Sequence, residues 1–108
     1  GSILDILWNI YSHSDMGYYT MKEKKVTIPN KLGMHARSAA TFSKLASDFS
    51  SNIMVIKDHM NVNGKSIMEL LTLAAAKGSR IIIQADGDDE ALAVKALAAL
   101  VKDGFGEE

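Results

Sequence analysis

The sequence has no cysteine and one proline, and neither sign of charge dominates among its 108 residues. The lack of cysteine excludes a disulfide framework and thiolate metal sites, and it fits a reducing cytoplasm. Twelve basic and thirteen acidic residues give a net charge of −1, so no overall field favours nucleic acid or an anionic membrane. No apolar run approaches the roughly 18 residues of a membrane-spanning helix. With 47% hydrophobic residues, the chain is predicted to form one small soluble domain.

The first 21 residues differ in composition from the rest, because they contain the single Trp and all three Tyr. Gly1-Ser2 resembles a cloning scar, and the pattern between Ile3 and Tyr11 suits one or two turns of amphipathic helix. We interpret residues 1–21 as an extension (a tag scar or an upstream segment) and residues 22–108 as the domain, with Met16 and Met21 both plausible as natural starts. The extension is first interpreted as an appendage without function. A packing or oligomerising helix and a targeting element are the alternatives.

Hydrophobic periodicity in residues 22–108 alternates between strand and helix patterns. Strands are predicted around 26–28, at 53–56, around residue 62 and at 80–85, and helices at 36–49, 66–76 and from about 90 to 102. This β-α-β-β-α-β-α order predicts an α+β open-faced sandwich: a four-stranded, mostly antiparallel sheet covered on one face by three helices.

Local signals refine the second and third helices. Lys77-Gly78 is expected to end the second helix as a last-turn cation and a C′ glycine. Helical spacing assigns Leu70, Leu73 and Ala74 to the core. The acidic run at Asp86, Asp88, Asp89 and Glu90 lacks a calcium-loop pattern and is interpreted as capping the third helix.

A glycine turn followed by histidine and arginine opens the first helix, in the sequence Leu-Gly-Met-His-Ala-Arg-Ser-Ala-Ala at 32–40. A helix start gathers unpaired N–H groups and the positive end of the helix dipole, which favour an anion. Histidine can act as a nucleophile near neutral pH. His35, Arg37 and the amides of residues 36–38 therefore form a candidate site for a phosphoryl group held on an imidazole.

Three motifs in family order resemble HPr, the histidine-containing phosphocarrier of the bacterial phosphotransferase system, or its nitrogen-related relative. They are Leu-Gly-Met-His-Ala-Arg at 32–37, Val-Asn-Gly-Lys-Ser-Ile-Met at 62–68 and Gly-Phe-Gly-Glu at 104–107. The resemblance covers residues 22–108 and implies the same open-faced sandwich. It also implies a phosphoryl carrier, rather than a free-standing enzyme, that works in sugar uptake or nitrogen regulation.

The resemblance implies that Nδ1 of His35 is transiently phosphorylated and that Arg37 stabilises the phosphoryl group. Phosphoenolpyruvate would be the original donor through Enzyme I, and enzyme II A-type domains would be the acceptors. Ser38 replaces the proline that is usual after the arginine, which restores an N–H donor and adds a hydroxyl that could reach the phosphoryl group. We expect retained activity with an altered phosphohistidine lifetime.

Ser66 has two interpretations. In many HPr proteins the matching serine is phosphorylated by a dedicated HPr kinase/phosphorylase, which would make Ser66 a regulatory site. The sequence Ser-Ile-Met-Glu at 66–69 is also a capping box, in which the Glu69 carboxylate would repel a phosphate on Ser66. We rank the structural cap first.

An exposed apolar surface beside the histidine is expected to bind partners briefly, and adaptable methionines suit such a surface. The resemblance and the motif assign it to Met34, Ile67, Met68 and Leu71. The alternative is that these residues belong to the core of a Leu-rich helix.

The remaining polar residues carry no further predicted site. His13 and His59 have no metal-ligand spacing and are interpreted as solvated, so neither a metal nor a cofactor is expected. We expect a cytoplasmic monomer that neither binds nucleic acid nor inserts into a membrane. The alternative function is an HPr-like regulatory module that acts through protein contacts without a phosphate relay.

Overall fold

The computed structural model describes residue 3 and residues 21–107, so the predicted helix near the amino end lies outside the described residues except for Ile3. Residues 21–107 contain four strands, three α-helices and a terminal 3-10 turn. In chain order they are β1 (Lys22–Thr27), α1 (Ala36–Ser47), β2 (Asn52–Lys57), β3 (Met60–Asn63), α2 (Ile67–Thr72), β4 (Arg80–Asp86), α3 (Glu90–Lys102) and the 3-10 turn Gly104–Gly106. The predicted β-α-β-β-α-β-α order is confirmed.

The strands form one antiparallel sheet in the order β1-β4-β2-β3. Ile83 pairs with Val55, and Ile81 pairs with Val26. Alternate residues of β4 are buried, as are Ile53 and Val55 in β2. Because side chains alternate between the two faces of a strand, this pattern places the core on one face. The predicted open-faced sandwich is therefore confirmed.

The helices bury apolar side chains against that face. In α1 the buried apolar residues are Ala39, Phe42 and Ala46, as the periodicity predicts. In α3 they are Ala93, Val94, Leu97, Ala98 and Val101. Burying such side chains is the main term that stabilises a domain of this size.

The second helix is shorter than predicted, because α2 ends at Thr72 and Ala74 has a positive φ of 50°. Ala75 is buried, and its carbonyl oxygen accepts a hydrogen bond from the Met34 amide at 2.8 Å. Leu70 and Leu73 are buried as predicted, but Ala74 is exposed and Ala75 takes the inward place. The helix pattern was misleading here because the segment leaves α2 to bind the loop before α1.

Gly78 does not end that helix. It has a φ of 89°, and its amide donates to the Ile28 carbonyl oxygen at 2.8 Å. The glycine therefore belongs to the turn that leads into β4, five residues beyond the C-cap Leu73. The expected C′ role is wrong because the chain had already changed direction at Ala74.

The acidic residues before α3 do not all act as predicted. Asp89 occupies the N-cap position, but its carboxylate accepts hydrogen bonds from the amides of Ser50 and Ser51 and from the Ser51 hydroxyl. The hydroxyl bond of Ser51 and the Ser50 amide lower the pKa of Asp89 from 3.8 to about 2. Asp89 therefore fastens the start of β2 to the start of α3, while Glu90 accepts from the Gly87 amide at 3.1 Å.

Candidate functional site

His35 is the N-cap of α1, one residue before the predicted first turn, with an extended backbone at φ −113° and ψ −175°. The preceding Gly33 has a φ of 67°. A Cβ atom at Gly33 would lie 2.4 Å from the Ala75 carbonyl oxygen. Glycine is therefore required here both for its backbone conformation and for the close approach of two loops.

Ser38 fixes the backbone of His35. Its hydroxyl accepts a hydrogen bond from the His35 amide at 2.9 Å and donates to the Gly33 carbonyl oxygen at 2.8 Å. Ser38 is fully buried. Its hydroxyl is therefore occupied inside the loop and does not face the imidazole, in contrast to the expectation that it could reach a phosphoryl group.

The imidazole of His35 faces the amino end of α1. Its Nδ1 atom accepts a hydrogen bond from the Arg37 amide at 3.3 Å, and its side chain retains 27% of its exposed area. Arg37 is exposed. The ring thus lies at the helix start and is accessible, as the sequence predicts for an anion held on the histidine.

The other ring nitrogen is bound by a residue from the far end of the chain. Nε2 of His35 lies 2.7 Å from Oε2 of Glu107, whose side chain is 16% exposed. The second carboxylate oxygen accepts from Nδ2 of Asn30 at 2.8 Å. The Asn30 hydrogen bond, followed by the hydrogen bond and charge of His35 and the charge of Arg37, lowers the pKa of Glu107.

These contacts determine which nitrogen is nucleophilic. An ionised carboxylate can only accept hydrogen bonds, so Nε2 must carry the proton in the contact with Glu107. A neutral imidazole has one protonated nitrogen, which leaves the lone pair on Nδ1. The nitrogen that faces the helix start is therefore the one able to attack an electrophile.

The 3-10 turn positions the backbone of Glu107, whose amide donates to the Gly104 carbonyl oxygen at 3.0 Å. The buried Phe105 has a φ of 61°, between Gly104 and Gly106, both of which also have positive φ. The sequence motif at 104–107 indicated the family but gave no role for this glutamate. No local periodicity pairs residues 72 positions apart, so the contact could only be found in the fold.

A groove of about 430 Å³ lies beside Arg37 and Glu107. It is lined by Asn30, Lys31, Leu32, Arg37, Phe105, Gly106 and Glu107. Lys31 and Arg37 add positive charge to this side of the site, and Leu32 is 67% exposed. Leu32 is an apolar surface residue that the sequence analysis missed.

The predicted partner surface is exposed only in part. Ile67, Met68 and Leu71 are exposed on α2, Met68 at 77%, and α2 packs against α1. Met34 is buried in the core, because its amide is bound to Ala75 and the chain turns inward at Gly33. The assignment of Met34 to the surface is therefore corrected, and Leu32 lies outside in its place.

Ser66 is the N-cap of α2, and its hydroxyl accepts from the Glu69 amide at 3.2 Å. The Glu69 carboxylate does not return to the Ser66 amide but accepts from the Asn63 amide at 3.0 Å. Of the two hydrogen bonds in the predicted capping box, one is thus present, from the Glu69 amide to the Ser66 hydroxyl. The carboxylate instead ties α2 to the end of β3.

Neither a metal centre nor a membrane span is evident in the described part of the chain. Residues 21–107 hold no group of three or more metal-ligating side chains of the His, Cys, Asp and Glu types. Within the same range, no helix is both long and apolar enough to cross a bilayer. His59 is exposed in the turn between β2 and β3, and His13 lies outside the described residues.

Comparison with known proteins places the chain in a family. The family model described as the PTS HPr component phosphorylation site matches residues 22–103. "Phosphocarrier protein HPr" of Neisseria meningitidis serogroup A is 49% identical over 87 residues, which cover 81% of this chain and 98% of that protein.

Solved structures show the same similarity. HPr-C-His from Thermoanaerobacter tengcongensis superposes with a TM-score of 0.78 at 49% identity, covering 81% of this chain and 98% of that one. The catabolite repression protein Crh of Bacillus subtilis, whose crystal structure is described as a domain-swapped dimer, gives a TM-score of 0.63 at 41% identity over 74% and 92% of the two chains. With a family match across most of its length and a histidine at the start of α1, the chain belongs to the HPr family.

Proposed function

We propose that the chain is a phosphocarrier that accepts a phosphoryl group on Nδ1 of His35. Phosphorylated Enzyme I is the donor, with phosphoenolpyruvate as the original source, and enzyme II A-type domains are the acceptors. The observation that carries the proposal is the 2.7 Å contact between Nε2 of His35 and Glu107, because it leaves the Nδ1 lone pair at the start of α1.

In the transfer, one covalent bond forms and one breaks. The lone pair of Nδ1 attacks the phosphorus atom, and the bond between phosphorus and the donor breaks with its electron pair returning to the donor. Because Nε2 keeps its proton, the ring gains positive charge as the new P–N bond forms. The Glu107 carboxylate stabilises that charge, and the protonated ring is a good leaving group in the reverse transfer.

Arg37 and the amides of residues 36–38 act on the phosphoryl oxygens. A guanidinium presents two parallel donors to two oxygens, which an ammonium group cannot do. A carrier should hold its phosphoryl group only between encounters. An exposed arginine beside a partly buried ring suits that moderate stabilisation.

Partner binding is assigned to Ile67, Met68 and Leu71 on α2. This surface is small and apolar, which suits brief contacts with more than one protein. Ser66 is proposed first as the cap of α2 and second as a site for an HPr kinase/phosphorylase. The carrier is proposed to act as a cytoplasmic monomer in sugar uptake or nitrogen regulation, with residues 22–108 as the functional domain and 1–21 as an appendage.

The second candidate is a regulatory module that acts by contact alone. It is favoured by the 41% identity to Crh, which is called an HPr-like protein, and by the exposed apolar surface on α2. A contact module has no use for the ordered imidazole of His35, so we rank it below the carrier.

One experiment separates the two functions. The protein is incubated with Enzyme I and phosphoenolpyruvate, and then with an enzyme II A-type domain. The carrier takes up acid-labile, base-stable phosphate, passes it on, and loses both activities in the His35→Ala variant. A wild-type protein that stays unmodified while it still binds Enzyme I supports the contact module instead.

A further inference from the structure

We propose that Asn30 is a positioning residue, which holds Glu107 against Nε2 of His35 and so fixes Nδ1 as the phosphoryl acceptor. The inference rests on the proposed phosphocarrier function, which it deepens by adding a residue that no sequence signal indicated. Asn30 lies between β1 and the Gly33 turn and is 6% exposed.

The orientation of the Asn30 amide follows from its partners. Nδ2 donates to the Gly33 carbonyl oxygen at 2.9 Å and to Oε1 of Glu107 at 2.8 Å. Both of these oxygens can only accept, so the NH₂ group must face them. The Oδ1 atom is buried and has no partner among the described residues, which shows that the two donor contacts decide how the amide is turned.

The Asn30 amide determines which carboxylate oxygen of Glu107 faces His35. Oε1 is taken by Asn30, and Oε2 is left for His35. A glutamate near the end of a chain otherwise has several rotamers of similar energy. Asn30 selects the one that meets the imidazole, without touching the imidazole itself.

The same amide is coupled to the backbone of the histidine. The Gly33 carbonyl oxygen that accepts from Asn30 also accepts from the Ser38 hydroxyl, which in turn binds the His35 amide. One buried side chain thus supports the ring through Glu107 and the backbone through Gly33. The Asn30 hydrogen bond is also the largest influence that lowers the pKa of Glu107, which keeps the carboxylate ionised.

The test compares Asn30→Ala with wild type by ¹⁵N NMR of the unphosphorylated protein, at a pH high enough to keep the imidazole neutral. In wild type His35 is expected in the tautomer with the proton on Nε2. In Asn30→Ala the fraction with the proton on Nδ1 should rise, and the Glu107 carboxyl pKa, followed by ¹³C NMR, should move up. The exposed Asn61→Ala on β3 is the matched control and should change neither signal.

Kinetics then test whether Asn30 acts through Glu107. Phosphorylation of Asn30→Ala by Enzyme I should be slower by roughly 3- to 10-fold, which corresponds to one ordinary hydrogen bond. In the Glu107→Ala background, the Asn30→Ala change should slow phosphorylation little further, because the contact between Glu107 and His35 is already absent. If the double variant shows the full rate loss of both single variants, the proposal is wrong.

Asn30→Leu is the second variant, because it keeps a branched side chain of similar shape and removes the donor without adding a charge beside Glu107. If Asn30→Ala does not fold, the same shifts in the tautomer and in the Glu107 pKa are required of Asn30→Leu. An unchanged tautomer and an unchanged Glu107 pKa in the folded variant refute the inference. These NMR measurements do not use Enzyme I. If the wild-type protein takes up no phosphate, the carrier function is rejected, but the NMR measurements still test the role of Asn30.

Discussion

Nε2 of His35 and Oε2 of Glu107 lie 2.7 Å apart although 72 positions separate the two residues in the chain. The contact joins the loop before α1 to the 3-10 turn at the other end of the domain. It decides which imidazole nitrogen keeps its proton and therefore which one is free to react. The chemistry of the site thus depends on the last turn of the fold as well as on the motif around the histidine.

Gly33→Ala should destabilise the domain by about 2 kcal/mol or more, since a side chain at positive φ costs about 1–3 kcal/mol and its Cβ would lie 2.4 Å from the Ala75 oxygen. Urea denaturation measures the loss. Gly78→Ala is the matched control, because Gly78 also has a positive φ but no atom within 4 Å of the added Cβ. Equal losses in the two variants would show that the contact with Ala75 is not limiting.

Ser38→Ala should lower the free energy of unfolding by about 1–3 kcal/mol, because it removes the acceptor of the His35 amide and one of the two donors to the Gly33 carbonyl oxygen. Ser47→Ala is the control on the same helix, since the Ser47 hydroxyl binds only the Ser43 carbonyl oxygen. Ser38→Pro restores the residue usual in the family and should change the lifetime of the phosphohistidine. Identical hydrolysis rates for the phosphorylated wild type and Ser38→Pro would reject that effect.

Met68→Ala should raise the KM for phosphoryl transfer from Enzyme I by roughly fivefold while kcat changes little, because an anchor residue of an interface contributes about 1 kcal/mol or more. The free energy of unfolding of Met68→Ala should differ from that of wild type by no more than about 0.5 kcal/mol, as is usual for a substitution at an exposed residue. Leu92→Ala on α3 is the control, since Leu92 is also exposed but lies outside the proposed surface. A similar KM for wild type and Met68→Ala would remove Met68 from that surface.

Stability should fall in acid partly through Asp89. Hydrogen bonds from Ser51 and Ser50 lower its pKa in the folded state from 3.8 to about 2, so its contribution is complete above the unfolded pKa and is lost as the pH falls through the folded value. Asp89→Asn should therefore be less stable than wild type at neutral pH, and the difference should close between about pH 4 and pH 2. The control is Asp88→Asn, at the exposed neighbouring residue.

The sequence predicts the architecture well because the buried apolar residues recur at the regular spacing of helices and strands. Ala39, Phe42 and Ala46 recur at helical spacing, and β4 alternates between buried and partly exposed residues. The order of these patterns leaves few topologies for a domain of this size. Where a local pattern and the tertiary packing agree, the prediction is confirmed.

Predictions failed where tertiary contacts override a local pattern. The helix-forming alanines at 74–76 favoured a longer α2, but they lie beyond its end at Thr72, and Ala75 binds Met34 instead. Asp89 has the side chain of a helix cap, but its carboxylate binds Ser50 and Ser51 across the fold. Asn30 carries no signal of its own, and the motif that contains Glu107 indicates the family without giving the glutamate a role, since each residue gains its role only from the other and from His35.

The most direct test of the account is the identity of the phosphorylated atom. Protein labelled with ¹⁵N at histidine is incubated with Enzyme I and phosphoenolpyruvate, and the P–N coupling is read by ³¹P and ¹⁵N NMR. The account predicts a phosphoryl group bonded to Nδ1 of His35, with the proton retained on Nε2. A phosphoryl group on Nε2, or none on His35 under conditions in which an established HPr is phosphorylated, would contradict it.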